Sequence, residues 1–138
     1  MSLTPDDSPG FLLWRTTLRW QREMAAVLTP LDLTHVQFVL LATTWWLNRQ
    51  GEHPNQLSIA TQADTDVKMT SQVLRKLEDK GLLERVVDQA DTRAKRVRLT
   101  PRGEELAVRA LAVVERADAD FFHNVPDALT VLRSLAAR

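Results

Sequence analysis

Residues 57–103 read LSIATQADTDVKMTSQVLRKLEDKGLLERVVDQADTRAKRVRLTPRG. Leu57, Ala60 and Ala63 can share one face of a short helix over 56–63, capped by Asn55. Asp64, Thr65 and Asp66 supply a turn and the next cap, and a second helix follows over 67–80 with Val73, Leu74 and Leu77 as its core face. Gly81 ends it as a left-handed C′ residue. Two strand-like runs come next, 83–87 and 95–100, joined by a polar turn from Asp88 to Ala94. In the second run Val97 and Leu99 point one way, and Arg96, Arg98 and Thr100 the other. Thr100 and Pro101 then open a new helix. Helix, turn, helix, hairpin: this order predicts a helix-turn-helix with a β-hairpin wing, in a mainly α chain.

The flanks extend the pattern. Ser8 and Pro9 are start signals for a helix over 11–28, in which Phe11, Trp14, Leu18, Ala25 and Leu28 recur at helical spacing. Leu12, Trp20, Met24 and Val27 make it apolar on more than one side, so it needs several partners, one of which a second subunit can supply. Pro30 closes this helix. Thr34, with Gln37 three residues on, is a capping box for a central buried helix over 35–48. A long helix from Pro101 to about His123 and a last one from Pro126 to about Ala137 complete the chain. The expected division is a helical lobe of residues 1–30 and 104–138 around a winged lobe of residues 31–103.

The 138 residues suffice for a core without staples. The absence of Cys excludes disulfides and zinc–thiolate sites. The start, MSLTPDDSPG, is acidic and polar, and no apolar run approaches a membrane span. A cytoplasmic protein with no membrane partner is expected. Formal net charge is zero, but residues 66–103 hold ten Lys/Arg against six Asp/Glu. That is a local basic footprint of the kind that meets nucleic acid, or a set of solvated helix and hairpin faces. His35, His53 and His123 share no metal-ligand spacing, and no nucleophile–base pattern or phosphate-binding glycine loop occurs. We therefore expect neither an enzyme nor a cofactor or metal.

In a helix-turn-helix, the N-terminal half of the second helix meets base edges in the major groove. Here that half offers Lys68, Thr70, Ser71, Gln72 and Arg75. Gln suits adenine and Arg suits guanine through paired hydrogen bonds, so Gln72 and Arg75 are expected on bases and Lys68, Thr70 and Ser71 on phosphates or bases. The alternative for each is a solvated polar face.

Leu77-Glu78-x-x-Gly81-Leu82, then Arg85, then Asp91-x-Arg93, then Leu99-Thr100-x-x-Gly103, together with DLTHVQFVLLA near residue 32, resemble the MarR-type transcriptional regulators. The resemblance implies a homodimer whose first and last helices interleave, with two winged lobes on a near-palindromic site of double-stranded DNA. It implies that Arg93 enters the minor groove, oriented by Asp91, with Lys95 on a phosphate. Many members carry two consecutive arginines after the aspartate; Thr92 replaces the first here. Arg96 and Arg98 are read either as phosphate contacts or as partners of Glu84. The resemblance also implies a pocket for a small aromatic effector between the lobes, which Trp14, His35, Trp45 and Trp46 could line; the alternative is that they are core or interface aromatics. The function expected is a transcriptional repressor released by its effector. The alternative is a winged-helix protein-interaction module that never touches DNA.

Overall fold

A computed structural model describes residues 4–91 and 95–137. Its elements run α1 (Pro9–Leu28), α2 (His35–Arg49), α3 (Gln56–Ala63), α4 (Val67–Asp79), β1 (Leu83–Val87), β2 (Lys95–Leu99), α5 (Pro101–Phe121) and α6 (Ala128–Ala136). The helix starts follow from local chemistry. Each side chain at Ser8, Asn55, Asp66 and Thr100 accepts a hydrogen bond from the backbone N–H three residues on, satisfying a donor that the first turn leaves open. At α2 the capping box is complete: the Gln37 amide donates to Thr34 Oγ1 (3.2 Å) and the Thr34 amide to Gln37 Oε1 (3.1 Å). Most boundaries lie within two residues of expectation, and the last two helices are both shorter than expected. α5 stops at Phe121, and α6 begins at Ala128 because Pro126 sits inside a turn closed by Val125 and Ala128 N–H bonds.

The core is gathered around α2. Phe38, Leu40, Leu41 and Leu47 meet Met24 and Leu28 from α1, Leu74 and Leu77 from α4, Val97 and Leu99 from β2, and Ala107, Ala110 and Val114 from α5. Burying each large aliphatic side chain contributes about 1.5–3 kcal/mol, and α1 and α5 share this one core with α2, α4 and β2. From α3, Ile59 (0 % exposed) and Ala60 enter this core, whereas Leu57, expected inside, is 60 % exposed. A helix of eight residues has barely two turns, and its apolar spacing does not single out one face.

β1 and β2 pair antiparallel, Leu83 opposite Leu99 and Val87 opposite Lys95. The second edge of β2 is also closed. The Val97 amide donates to Pro54 O (2.8 Å), the Leu99 amide to Asn48 Oδ1 (3.1 Å), and Asn48 Nδ2 to Val97 O (3.4 Å). Covering this edge leaves β2 no free side for pairing with another chain. Gly103 explains its own place in the motif: a Cβ there would lie 1.8 Å from Leu82 O. The base of the wing and the start of α5 thus meet backbone to backbone. Thr100 Oγ1 locks the same seam, donating to Gly81 O (2.7 Å) while accepting from the Gly103 amide (3.1 Å).

The two end helices differ from the rest. Phe11, Leu12, Leu13 and Trp14 of α1 are exposed, as are Leu129, Val131, Leu132 and Leu135 of α6, and α6 has no buried residue. Among the described residues no single helix is long and apolar enough to cross a membrane.

Candidate nucleic-acid interface

The turn between α3 and α4 is made by Asp64, in the left-handed region (φ 54°), and by the Thr65 amide, which donates to Ala60 O (2.9 Å). α4 then turns Leu74 and Leu77 inward and leaves Lys68, Gln72 and Arg75 exposed and Ser71 half-buried. These four share the outward face expected of a groove-reading helix. Thr70 does not belong with them. It is 0 % exposed, its hydroxyl donates to Asp66 O (2.7 Å), and it lies 2.6 Å from Thr65 Oγ1. Thr70, Leu74 and Leu77 stand at i, i+4 and i+7, on the inner stripe of the helix. Thr70 is therefore a brace of the turn, and not, as the sequence leads one to expect, a contact with DNA.

The far end of α4 is fastened to α2. Lys80 Nζ donates to Asp32 O and to Gln37 Oε1 (3.0 Å), and lies 3.6 Å from Asp32 Oδ2. Asp32 holds the left-handed conformation (φ 56°) that turns its carbonyl toward this lysine. Arg85 reaches from β1 toward Glu78 of α4, Nε to Oε1 3.7 Å. Two different segments, the turn before α2 and the wing strand, thus fix the orientation of α4.

On the outer face of the wing, Arg98 Nε donates to Glu84 Oε1 (2.6 Å), one of the two readings the sequence allowed. Arg96 instead pairs with Asp88, through Nε (2.8 Å) and Nη2 (2.8 Å) to Oδ2. Asp88 Oδ1 accepts from the Ala90 amide (2.8 Å), an Asx turn that bends the chain into the wing tip. That backbone bond, and then the Arg96 guanidinium, hold the Asp88 carboxyl below its ordinary value. Sequence reasoning missed Asp88. Its signal was an aspartate directly after a strand, but its partner Arg96 lies across the hairpin. Asp91 and Lys95 are exposed on either side of the tip. Arg93, the expected minor-groove residue, lies outside the described residues.

The four residues expected at an effector pocket do not converge within one chain. Trp14 (62 % exposed) and Trp46 (47 %) face outward. Trp45 carries the Arg49 guanidinium 5.1 Å from its ring centre and borders a cleft of about 110 Å³ with Asn48, Leu99 and Glu104. His35 packs edge-on against Trp20, centroids 4.9 Å apart, and Trp20 Nε1 donates to Asp118 Oδ1 (2.9 Å). Burial lowers the His35 pKa, partly offset by the Asp118 carboxylate. Successive positions on α2 point in different directions, which separates Trp45 from Trp46. No group of three or more His, Asp or Glu that could hold a metal ion occurs among the described residues.

The model of the ArnR1-like winged-helix domain matches residues 30–117. The chain is 43 % identical over 118 residues to an uncharacterized HTH-type transcriptional regulator, YdcH, of Bacillus subtilis, covering 86 % of this chain and 80 % of that one. It is 38 % identical over 115 residues to the HTH-type transcriptional repressor Rv2887 of Mycobacterium tuberculosis, covering 83 % and 80 %. A crystal structure of Rv2887, a MarR family protein, in complex with salicylic acid superposes with a TM-score of 0.69 at 34 % identity, covering 97 % of this chain and 98 % of that one. CouR from Rhodococcus jostii RHA1, bound to p-coumaroyl-CoA, superposes with a TM-score of 0.83 at 28 % identity, covering 98 % and 96 %. The matches cover nearly the whole chain, and this chain belongs to the MarR family of winged helix-turn-helix transcriptional regulators.

Proposed function

We propose that the protein is a homodimeric repressor of transcription that reads a pseudo-palindromic operator and releases it on binding a small aromatic effector. The observation that carries the reading is the outward face of α4: Lys68, Ser71, Gln72 and Arg75 stand on a helix braced at its start by Thr70 and at its end by Lys80. A rigid helix with a polar, cationic face is what a major groove requires. Residues 31–103 act as the DNA lobe, and residues 1–30 and 104–138 as the dimerisation lobe. The unfilled apolar faces of α1 and α6 support the latter, because such surface is stable when a second copy covers it. Arg93, oriented by Asp91, enters the minor groove, where the potential is most negative, and Lys95 meets a phosphate. The site of action is the cytoplasm, and the protein catalyses no reaction.

The effector reading draws on the relatives, one solved with salicylic acid and one with p-coumaroyl-CoA. The seam between lobes is where such a ligand acts, by favouring a geometry in which the two α4 helices no longer match one face of DNA. Of the four aromatic residues expected there, His35 stands at the seam beside Trp20 of α1 and near Asp118 of α5, and Trp45 borders a cleft with Glu104 of α5.

Zero net charge favours one other reading, a protein-interaction module. A salt series separates the two. Purified protein is titrated with labelled DNA from upstream of its own gene and with shuffled DNA of the same length. The repressor reading expects tight binding to the native fragment alone, weakening steeply with salt. Arg75→Ala should cost about 1–3 kcal/mol and relax base preference at one position. No salt-dependent binding to either duplex would give the protein-interaction reading the field.

A further inference from the structure

α4 carries an apolar side chain that the core does not use. Leu74 and Leu77 are wholly buried and Val73 and Met69 half-buried, but Val67 is 48 % exposed. It occupies the first position of the helix, directly after the Asp66 cap, four residues before Ser71 and eight before Arg75, along one edge of the outward face. The residues that follow it at four-residue spacing on that edge, Ser71 and Arg75, are polar. The major groove has one apolar group on its floor, the C5-methyl of thymine.

We propose that Val67 is a specificity residue, reading a thymine methyl in each half-site. The inference rests on the reading of α4 as the groove helix. Contact between the valine methyls and the thymine methyl would exclude water from both, and cytosine at that position would offer no methyl. The test begins with an operator selected by the wild-type protein from random duplexes. Each thymine is then replaced in turn by uracil, which keeps every hydrogen-bonding group and lacks only the methyl. One symmetric position should weaken binding on the order of fourfold, the worth of one buried methyl. Val67→Ala, which removes the valine methyls and favours the helix, should bind the thymine and uracil duplexes equally at that position. A flat uracil scan, or a scan in which Val67→Ala keeps the wild-type penalty, overturns the assignment and leaves the repressor reading intact. Failure to select any sequence overturns both.

Discussion

α4 and α6 are both short amphipathic helices, and the chain treats them in opposite ways. α4 places Leu74 and Leu77 in the core at 0 % exposure and shows water Lys68, Gln72 and Arg75. α6 buries nothing and shows water Leu129, Val131, Leu132 and Leu135. The first helix has spent its apolar stripe inside the chain, so its free face can be polar and can meet a charged polymer. The second has kept its stripe free, and a second copy of the chain offers a matching apolar surface to remove it from water. A helix completed within the chain and a helix left incomplete therefore coexist in the same sequence. Two different partners, nucleic acid and a second copy, fit the two surfaces by chemistry alone.

The sharpest way to break this contrast is a charge on the stripe of α6. In Leu132→Asp each copy of a symmetric dimer loses a leucine contact worth about 1.5–3 kcal/mol and gains a carboxylate. The dimer dissociation constant should rise on the order of 10³-fold, read by sedimentation, with the helical content of the separated chains retained. Unchanged sedimentation would mean that α6 is not an interface, and the two helices would no longer stand for two kinds of surface. The next effect falls within the winged lobe. Gly103→Ala puts a methyl 1.8 Å from Leu82 O, which is backbone and cannot swing aside. Urea denaturation should show a loss of about 3 kcal/mol. A loss under about 1 kcal/mol would mean that the wing seam yields, and that the winged lobe is less complete than its packing implies.

The sequence disclosed what local chemistry decides. The caps at Ser8, Thr34, Asn55, Asp66 and Thr100 and the left-handed Gly81 depend on residues a few positions away, and all are in place. The alternation of Val97 and Leu99 with Arg96 and Arg98 is equally local. What remained hidden depends on distant partners or on direction. Thr70 was mistaken for a groove residue because its hydroxyl is polar, although its spacing to Leu74 and Leu77 already placed it inside. The Asp88–Arg96 pair needs the hairpin register before it can be seen. The tryptophans could be listed but not aimed, since whether Trp45 or Trp46 faces a cavity depends on elements far along the chain. The apolar excess of α1 was readable as a need for further partners, and its exposed Phe11–Trp14 segment agrees.

The smallest effect lies where the two regions join. His35 starts α2, in the winged lobe, and packs on Trp20 of α1, which is bonded to Asp118 of α5. Burial there lowers its pKa below the ordinary 6.5, against the pull of Asp118. The folded chain thus resists protonation that the unfolded chain accepts, so stability is complete above pH 6.5 and is lost as the pH falls toward the folded value. Asp88, whose carboxyl is also lowered, acts only below its ordinary 3.8 and does not enter this window. The urea midpoint of the wild type should fall between pH 8 and pH 5.5, and that of His35→Phe, which keeps a ring against Trp20, should fall less. An equal fall in both would assign the acid sensitivity to another group.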